Sequence, residues 1–119
     1  MCTEDAAPDA APLNEVRLRG RAAVVATERT LPSGDTVVTT RLIIDRDSAA
    51  RRRSAQRVDT IDCTGWSRRV QRSMLRWASG DVVEIQGSMR RRFYRETSGP
   101  VSRVEVEVRS ARKIRDRAG

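Results

Sequence analysis

The residues best suited to chemistry lie in one stretch, GSMRRRFYRETSG, at residues 87–99. Three arginines run directly into Phe93 and Tyr94, although the whole chain has only two Trp, one Tyr and one Phe. Guanidinium groups contact phosphates, and an aromatic ring can stack on any nucleic-acid base. A basic segment that ends in rings is therefore typical of a surface for single-stranded nucleic acid.

The stretch belongs to a segment, residues 81–94, that alternates like a β-strand. Arg90, Arg92 and Tyr94 share one parity, and Val83 and Met89 share the other. We therefore expect the two arginines and the tyrosine to point together, away from the core. Phe93 and Arg91 have the parity of the core, so we expect Phe93 to pack inside and Arg91 to extend along the rim.

Composition favours a polyanionic partner. The 119 residues make one domain, and 24 Lys+Arg against 16 Asp+Glu give a net charge of +8. Of the basic residues, 23 are arginine and only Lys113 is lysine. The alternative is that a GC-rich genome enriches Arg and Ala through codon usage, without any function.

Catalytic and metal chemistry find little support. The chain has no histidine, which common hydrolase constellations and zinc sites use. Cys2 and Cys63 lack neighbours at metal-ligand spacing, and we interpret Asp45 and Asp47 as solvated loop charges. No glycine-rich phosphate loop is present. The sequence predicts a protein that is not an enzyme and has no cofactor and no metal.

The termini and hydropathy favour a cytoplasmic, nucleoid-associated protein. No apolar run reaches 18 residues, so we expect no membrane span. Residues 1–13 lack the basic start and apolar core of a signal peptide, and we expect them to form a flexible leader.

The remaining periodicity predicts three strands, one helix and two strands, followed by a short tail at 115–119. The helix, within 67–80, carries Val70, Met74 and Trp77 at helical spacing, with Ser67 as its cap and Gly80 as its end. Residues 47–57 are expected to form a long flexible loop. This order predicts an all-β fold over residues 14–114, a five-stranded OB-fold barrel with one helix between strands 3 and 4. The predicted strands are 14–21, 36–46, 58–66, 81–94 and 102–114.

Six segments, in order and spacing, resemble the bacterial single-stranded-DNA-binding protein family over about residues 14–114. They are NEVRLRGR, LPSGD, DCTGW, the helix ending in Gly80, GDVVEIQGSMRRRFY and VEVEV. The resemblance implies an OB barrel that is usually a homo-oligomer, a tetramer or a dimer. It also implies sequence-non-specific binding of single-stranded DNA in replication, repair or recombination, with RNA left open.

The resemblance assigns stacking to Tyr94, and to Trp66 at the end of the third strand. Arginines would supply the phosphate contacts. Those of the predicted loop would act as a tethered cationic flap, or else remain solvated without a partner. The candidate nucleic-acid-binding arginines are Arg17, Arg19, Arg51, Arg52, Arg53, Arg57, Arg90 and Arg92.

The chain also departs from the family pattern. Thr60 and Ser48 stand where the family can have stacking aromatics, and Asp62 stands where it often has a base. The sequence ends without the family's Gly-rich tail and acidic tip. We therefore expect a divergent, tail-less paralogue that binds more by charge than by stacking. The alternative is an OB module for protein contact, an accessory domain with weak or no nucleic-acid binding.

Overall fold

A computed structural model describes residues 8–117 of the chain. Residues 1–7 of the predicted leader, which include Cys2, and residues 118–119 of the predicted tail lie outside this range. The domain boundaries stay predictions. A 3-10 turn at Pro8–Ala10 precedes the sheet. The elements are β1 (Val16–Ala22), β2 (Thr27–Thr30), β3 (Thr36–Asp45), α1 (Ser48–Arg53), β4 (Val58–Gly65), α2 (Arg68–Leu75), β5 (Val82–Glu96) and β6 (Gly99–Arg115).

Five strands close into a ring. Their order is β1-β5-β6-β4-β3, and β1 also pairs with β3, while β2 pairs with β3 alone. Gly20 permits the closure, because a Cβ there would lie 2.5 Å from the carbonyl oxygen of Ile43. The predicted OB fold, with its helix between the strands now numbered β4 and β5, is confirmed. The short strand β2 is an addition that the sequence pattern did not indicate.

Helix α2 covers one end of the ring. Val70 and Met74 on the helix, and Trp77 just after it, are all buried. The Ser67 hydroxyl caps the helix by accepting a hydrogen bond of 3.2 Å from the backbone N–H of Val70. The helix itself ends at Leu75 rather than extending to Gly80.

The predicted flexible loop at 47–57 is wrong in part, because it contains α1. Asp47 caps this helix by accepting a hydrogen bond of 2.9 Å from the N–H of Ala50. Ala and Arg, which favour helix, fill the turns that follow. The backbone N–H of Arg46 donates to the carbonyl oxygen of Arg57 at 2.9 Å, so a backbone hydrogen bond joins the two ends of this segment.

The expectation that Met89 and Phe93 are core residues is wrong. Their exposed fractions are 51% and 73%. The reason is that β5 and β6 are longer than the part of them that pairs within the ring. β1 pairs with β5 only up to Gly87, and β4 pairs with β6 only between Val106 and Val108. Beyond this part, β5 and β6 continue as a two-stranded hairpin with no core beneath it. Arg91, expected along the rim, instead donates to the Ser102 hydroxyl at 2.8 Å on this hairpin.

Candidate nucleic-acid interface

A groove lies between the outer face of β2, β3 and β4 and the projecting β5–β6 hairpin. It consists of two adjoining depressions that share four residues, Arg29, Thr39, Thr64 and Glu105. Trp66 and Arg92 line one end, and Tyr94 and Arg103 line the other. The structure thus brings together the two rings that the sequence analysis selected.

At the Trp66 end, an arginine lies over the indole. The Cζ atom of Arg92 is 5.1 Å from the ring centroid. Its Nε donates to Glu105 Oε2 at 3.0 Å, and the same oxygen accepts a 3.1 Å hydrogen bond from the Thr64 hydroxyl. The carboxylate therefore holds the guanidinium in place over one face of the ring. Trp66 is half-buried. It also borders a further depression outside the groove, which Arg68 and Gln71 line as well.

The Tyr94 end repeats this arrangement. Tyr94 is half-buried, and the Cζ atom of Arg103 lies 5.9 Å from its ring centroid. The register of the hairpin explains why, since Arg92 faces Arg103 across the two strands and Tyr94 comes two residues after Arg92. Each end of the groove therefore presents one ring with one guanidinium beside it.

The arginines of the groove differ in how far carboxylates neutralise them. Arg41 donates to Asp62 at 3.1 Å, and Arg92 donates to Glu105 at 3.0 Å. Arg90, a predicted site residue, lines neither depression and donates to Glu107 at 2.9 Å. The charge of Asp62, which stands where the family often has a base, is therefore offset by an ion pair with Arg41. By contrast, no carboxylate of residues 8–117 lies within ion-pair distance of Arg29 or Arg103.

Arg29, Arg41 and Arg103 were missed by the sequence analysis. Arg29 lies on β2, whose four residues are all exposed and therefore show no apolar alternation. Arg103 lies on a recognised strand, and the register opposite Arg92 was the signal that would have found it.

Arg17 and Arg19 do not line the groove. They project from β1 onto Glu84 of β5, at 3.2 and 3.0 Å, and Arg112 of β6 reaches the same carboxylate at 2.9 Å. The hydrogen bond from Arg112, together with those from the other two guanidinium groups, lowers the pKa of the largely buried Glu84 to about 2. These arginines form a separate cluster, in which three cations share one carboxylate.

The α1 arginines, Arg51, Arg52 and Arg53, and Arg57 after it are exposed. They precede β4, whose first residue, Val58, pairs with Asp45 at the end of β3. Gly65, at the other end of β4, is roughly 23 Å from Val58 at the rise of an extended strand, and Trp66 follows it. These four side chains therefore lie at the far end of the strands that form the groove floor.

Other chemistry is limited in the described residues. Burial raises the pKa of the Cys63 thiol to about 12, which leaves it unreactive at neutral pH. Within residues 8–117, no cluster of three or more His, Cys, Asp or Glu side chains is arranged to hold a metal. Asp45 pairs with Arg21, while Asp47 caps α1. None of the helices in this range is long and apolar enough to cross a membrane.

Comparisons with known proteins agree with this architecture. A search of curated proteins found no significant match. Among solved structures, 171 chains match, including the Plasmodium falciparum SSB complex with ssDNA, with a TM-score of 0.70 and 21% identity over 88% of this chain and 96% of that one. The sequence model described as "Single-strand binding protein family" matches residues 13–114. Since this match spans most of the chain, the protein belongs to the single-strand binding protein family.

Proposed function

We propose that the chain binds single-stranded DNA without sequence preference, through the groove between β2–β3–β4 and the β5–β6 hairpin. The observation that carries this proposal is the pair of ring–arginine arrangements, Trp66 with Arg92 and Tyr94 with Arg103, at the two ends of one groove. Family membership supports it, as does the similar fold of a protein that its title describes in complex with ssDNA.

Bases would stack on the two rings, and phosphates would meet the arginines between and beside them. Stacking needs only the flat face of a base, so this mode tolerates any sequence. Only two rings line the groove, which limits stacking to about two bases at roughly 1–3 kcal/mol each. Most of the remaining affinity then has to come from phosphate contacts, which salt weakens.

The groove arginines are expected to contribute unequally. A phosphate that approaches Arg41 or Arg92 competes with a carboxylate that is already bonded to that arginine. Arg29 and Arg103 have no such competitor among the described residues, so they are free to pair with phosphate directly. We therefore assign the larger electrostatic contributions to Arg29 and Arg103.

Related chemistry extends the proposal. Stacking and phosphate contacts are common to both nucleic acids, so single-stranded RNA is a second ligand of the same surface. We further propose a non-enzymatic role on DNA strands exposed during replication, repair or recombination, in the cytoplasm and associated with the nucleoid. The assembly proposed is a homo-oligomer, a dimer or a tetramer.

A second candidate is a protein-contact module. The feature that favours it is the exposed apolar face of the hairpin, formed by Met89, Phe93 and Val104, whose exposed fractions are all above 40%. This face is turned away from Tyr94 because alternate residues of a strand point to opposite sides.

Fluorescence anisotropy of labelled oligo-dT over a range of salt concentrations tests the proposal. The four arginines that line the groove, Arg29, Arg41, Arg92 and Arg103, predict a log–log slope of about −3, or about 50-fold weaker binding on going from roughly 50 to 200 mM salt. Arg103→Gln should reduce the slope by about 0.7. Arg115→Gln, at the other end of β6, is the matched control and should not change it.

Two results would contradict the proposal. A flat salt response with intact binding would remove the electrostatic mechanism. No binding of oligo-dT at low salt would remove the function and favour the protein-contact module.

A further inference from the structure

The charged side chains on the exposed side of α2 are all cationic. The segment SRRVQRSMLRWASG, residues 67–80, contains no acidic residue. Its four arginines are exposed, and no carboxylate of residues 8–117 lies within ion-pair distance of them. We call this the helix arginine face: Arg68, Arg69, Arg72 and Arg76.

We propose that the helix arginine face binds the phosphates of a DNA strand after that strand leaves the groove at Trp66. The inference rests on the proposed function, because it requires a strand in the groove. It adds a second binding surface, on the helix, to a site that otherwise consists of strands and a hairpin.

The helix is fixed to the Trp66 end of the groove. The side-chain amide of Gln71, itself buried, donates to the carbonyl oxygens of Thr36, Gly65 and Trp66 at 2.8, 3.1 and 3.2 Å. Arg68 lines the same depression as Trp66. A strand that passes the indole therefore meets Arg68 next, at a position that the packing of the helix holds constant.

The positive surface continues beyond the helix. Arg69 lines a depression together with Glu84 and Arg112. Glu84 also carries Arg17 and Arg19, so three guanidinium groups there share a single negative charge. This gives Arg17 and Arg19 a place on the path, at its distant end, although they lie outside the groove.

The spacing of the arginines in the helix arginine face lowers the stability of the helix in the absence of a ligand. Arg68, Arg72 and Arg76 follow one another at a spacing of four residues, and like charges at this spacing destabilise a helix. A bound polyanion relieves that repulsion. Removing the charges should therefore weaken DNA binding without lowering stability, whereas residues that serve the fold lower stability when replaced.

Oligonucleotide length separates the two surfaces. We would compare oligo-dT of about 8 nucleotides, enough for the groove, with oligo-dT of about 30, enough to continue over the helix. The test variant is Arg68→Gln/Arg69→Gln/Arg72→Gln. The control with unchanged charge is Arg68→Lys/Arg69→Lys/Arg72→Lys, measured by anisotropy as a function of salt and by thermal melting.

The Gln variant should reduce the salt slope for the long oligonucleotide by about 2, since each phosphate contact contributes about 0.7. Its slope for the short oligonucleotide should equal that of the wild type, and its melting temperature should be unchanged or higher. The Lys variant should behave as the wild type with both lengths.

Several outcomes would overturn the inference. Equal weakening with both lengths would indicate an effect of net charge rather than contact. Unchanged binding with both lengths would leave the groove function intact but remove the helix arginine face from it. If the Gln variant then lost binding of oligo-glutamate, the face would be reassigned to an acidic protein segment. A wild type that binds neither length would remove the proposed function itself.

Discussion

Replacing Trp66 with alanine should weaken binding of oligo-dT by about 5- to 150-fold, the loss of one base stack at roughly 1–3 kcal/mol. The structure limits the loss to one stack. Arg92 lies 5.1 Å from the ring centroid and covers one face of the indole, so only the other face is left for a base.

The same substitution should hardly affect folding. Trp66 is half-buried, and the hydrogen bond from Gln71 uses its backbone carbonyl, which alanine retains. Arg92 stays bonded to Glu105. The lost contact between Arg92 and the ring is worth about 0.5–1 kcal/mol at an exposed site. A melting temperature close to that of the wild type would therefore separate the binding effect from unfolding.

Tryptophan fluorescence provides the assay, because the chain has only two Trp residues and their surroundings differ. Trp77 is buried at 3% exposure, while Trp66 lines the groove. Oligo-dT should quench the emission of the wild type and of Trp77→Phe, where only Trp66 emits. It should leave the emission of Trp66→Phe unchanged.

The reasoning fails if quenching follows Trp77 instead, that is, if Trp66→Phe is quenched and Trp77→Phe is not. It also fails if Trp66→Ala is folded and binds as tightly as the wild type. Either result would make the ring a support for Arg92 rather than a platform for a base.

Three further substitutions test the rest of the structure. Trp77→Ala should destabilise the domain by roughly 3–5 kcal/mol in urea unfolding, as for other large core truncations, and an unchanged midpoint would contradict its place in the core. Glu84→Gln should lower the melting temperature at neutral pH. Because the pKa of Glu84 is lowered from 4.5 to about 2, the difference in melting temperature between variant and wild type should narrow as the pH falls through that range and stay constant above it. A difference that does not depend on pH would contradict the ion pairing of Glu84. A variant with serine at Arg51, Arg52, Arg53 and Arg57 should bind oligo-dT more weakly and keep the melting temperature of the wild type. Unchanged affinity would mean that these four side chains are solvated charges without a partner.

The sequence predicted what depends on local patterns. Alternation and β-branched runs predicted five strands, and each overlaps a strand of the structure: β1, β3, β4, β5 and β6. Helical spacing and a serine cap were enough to place α2. These features were predictable because each follows from neighbours within one or two turns or strand repeats.

What escaped prediction depends on where elements end relative to the core. Parity sorts a strand into two faces, but it does not tell whether a core lies beneath either face, which is why Phe93 was misassigned. Parity also placed Arg17 and Arg92 on outer faces alike. Only the pairing of strands shows that Arg17 meets Glu84, while Arg92 lies over Trp66.

The length of the β5–β6 hairpin connects these observations. A strand that stopped at Met89, where the ring pairing ends, would leave nothing to hold Arg92 or Tyr94 over the groove. Extending it carries Tyr94 to the groove and, because alternate residues face opposite sides, necessarily carries Phe93 to the opposite side. The exposed Phe93 is thus the geometric consequence of positioning Tyr94. A substitution of Phe93 by a polar residue should therefore leave DNA binding intact, unless the apolar face has a partner of its own.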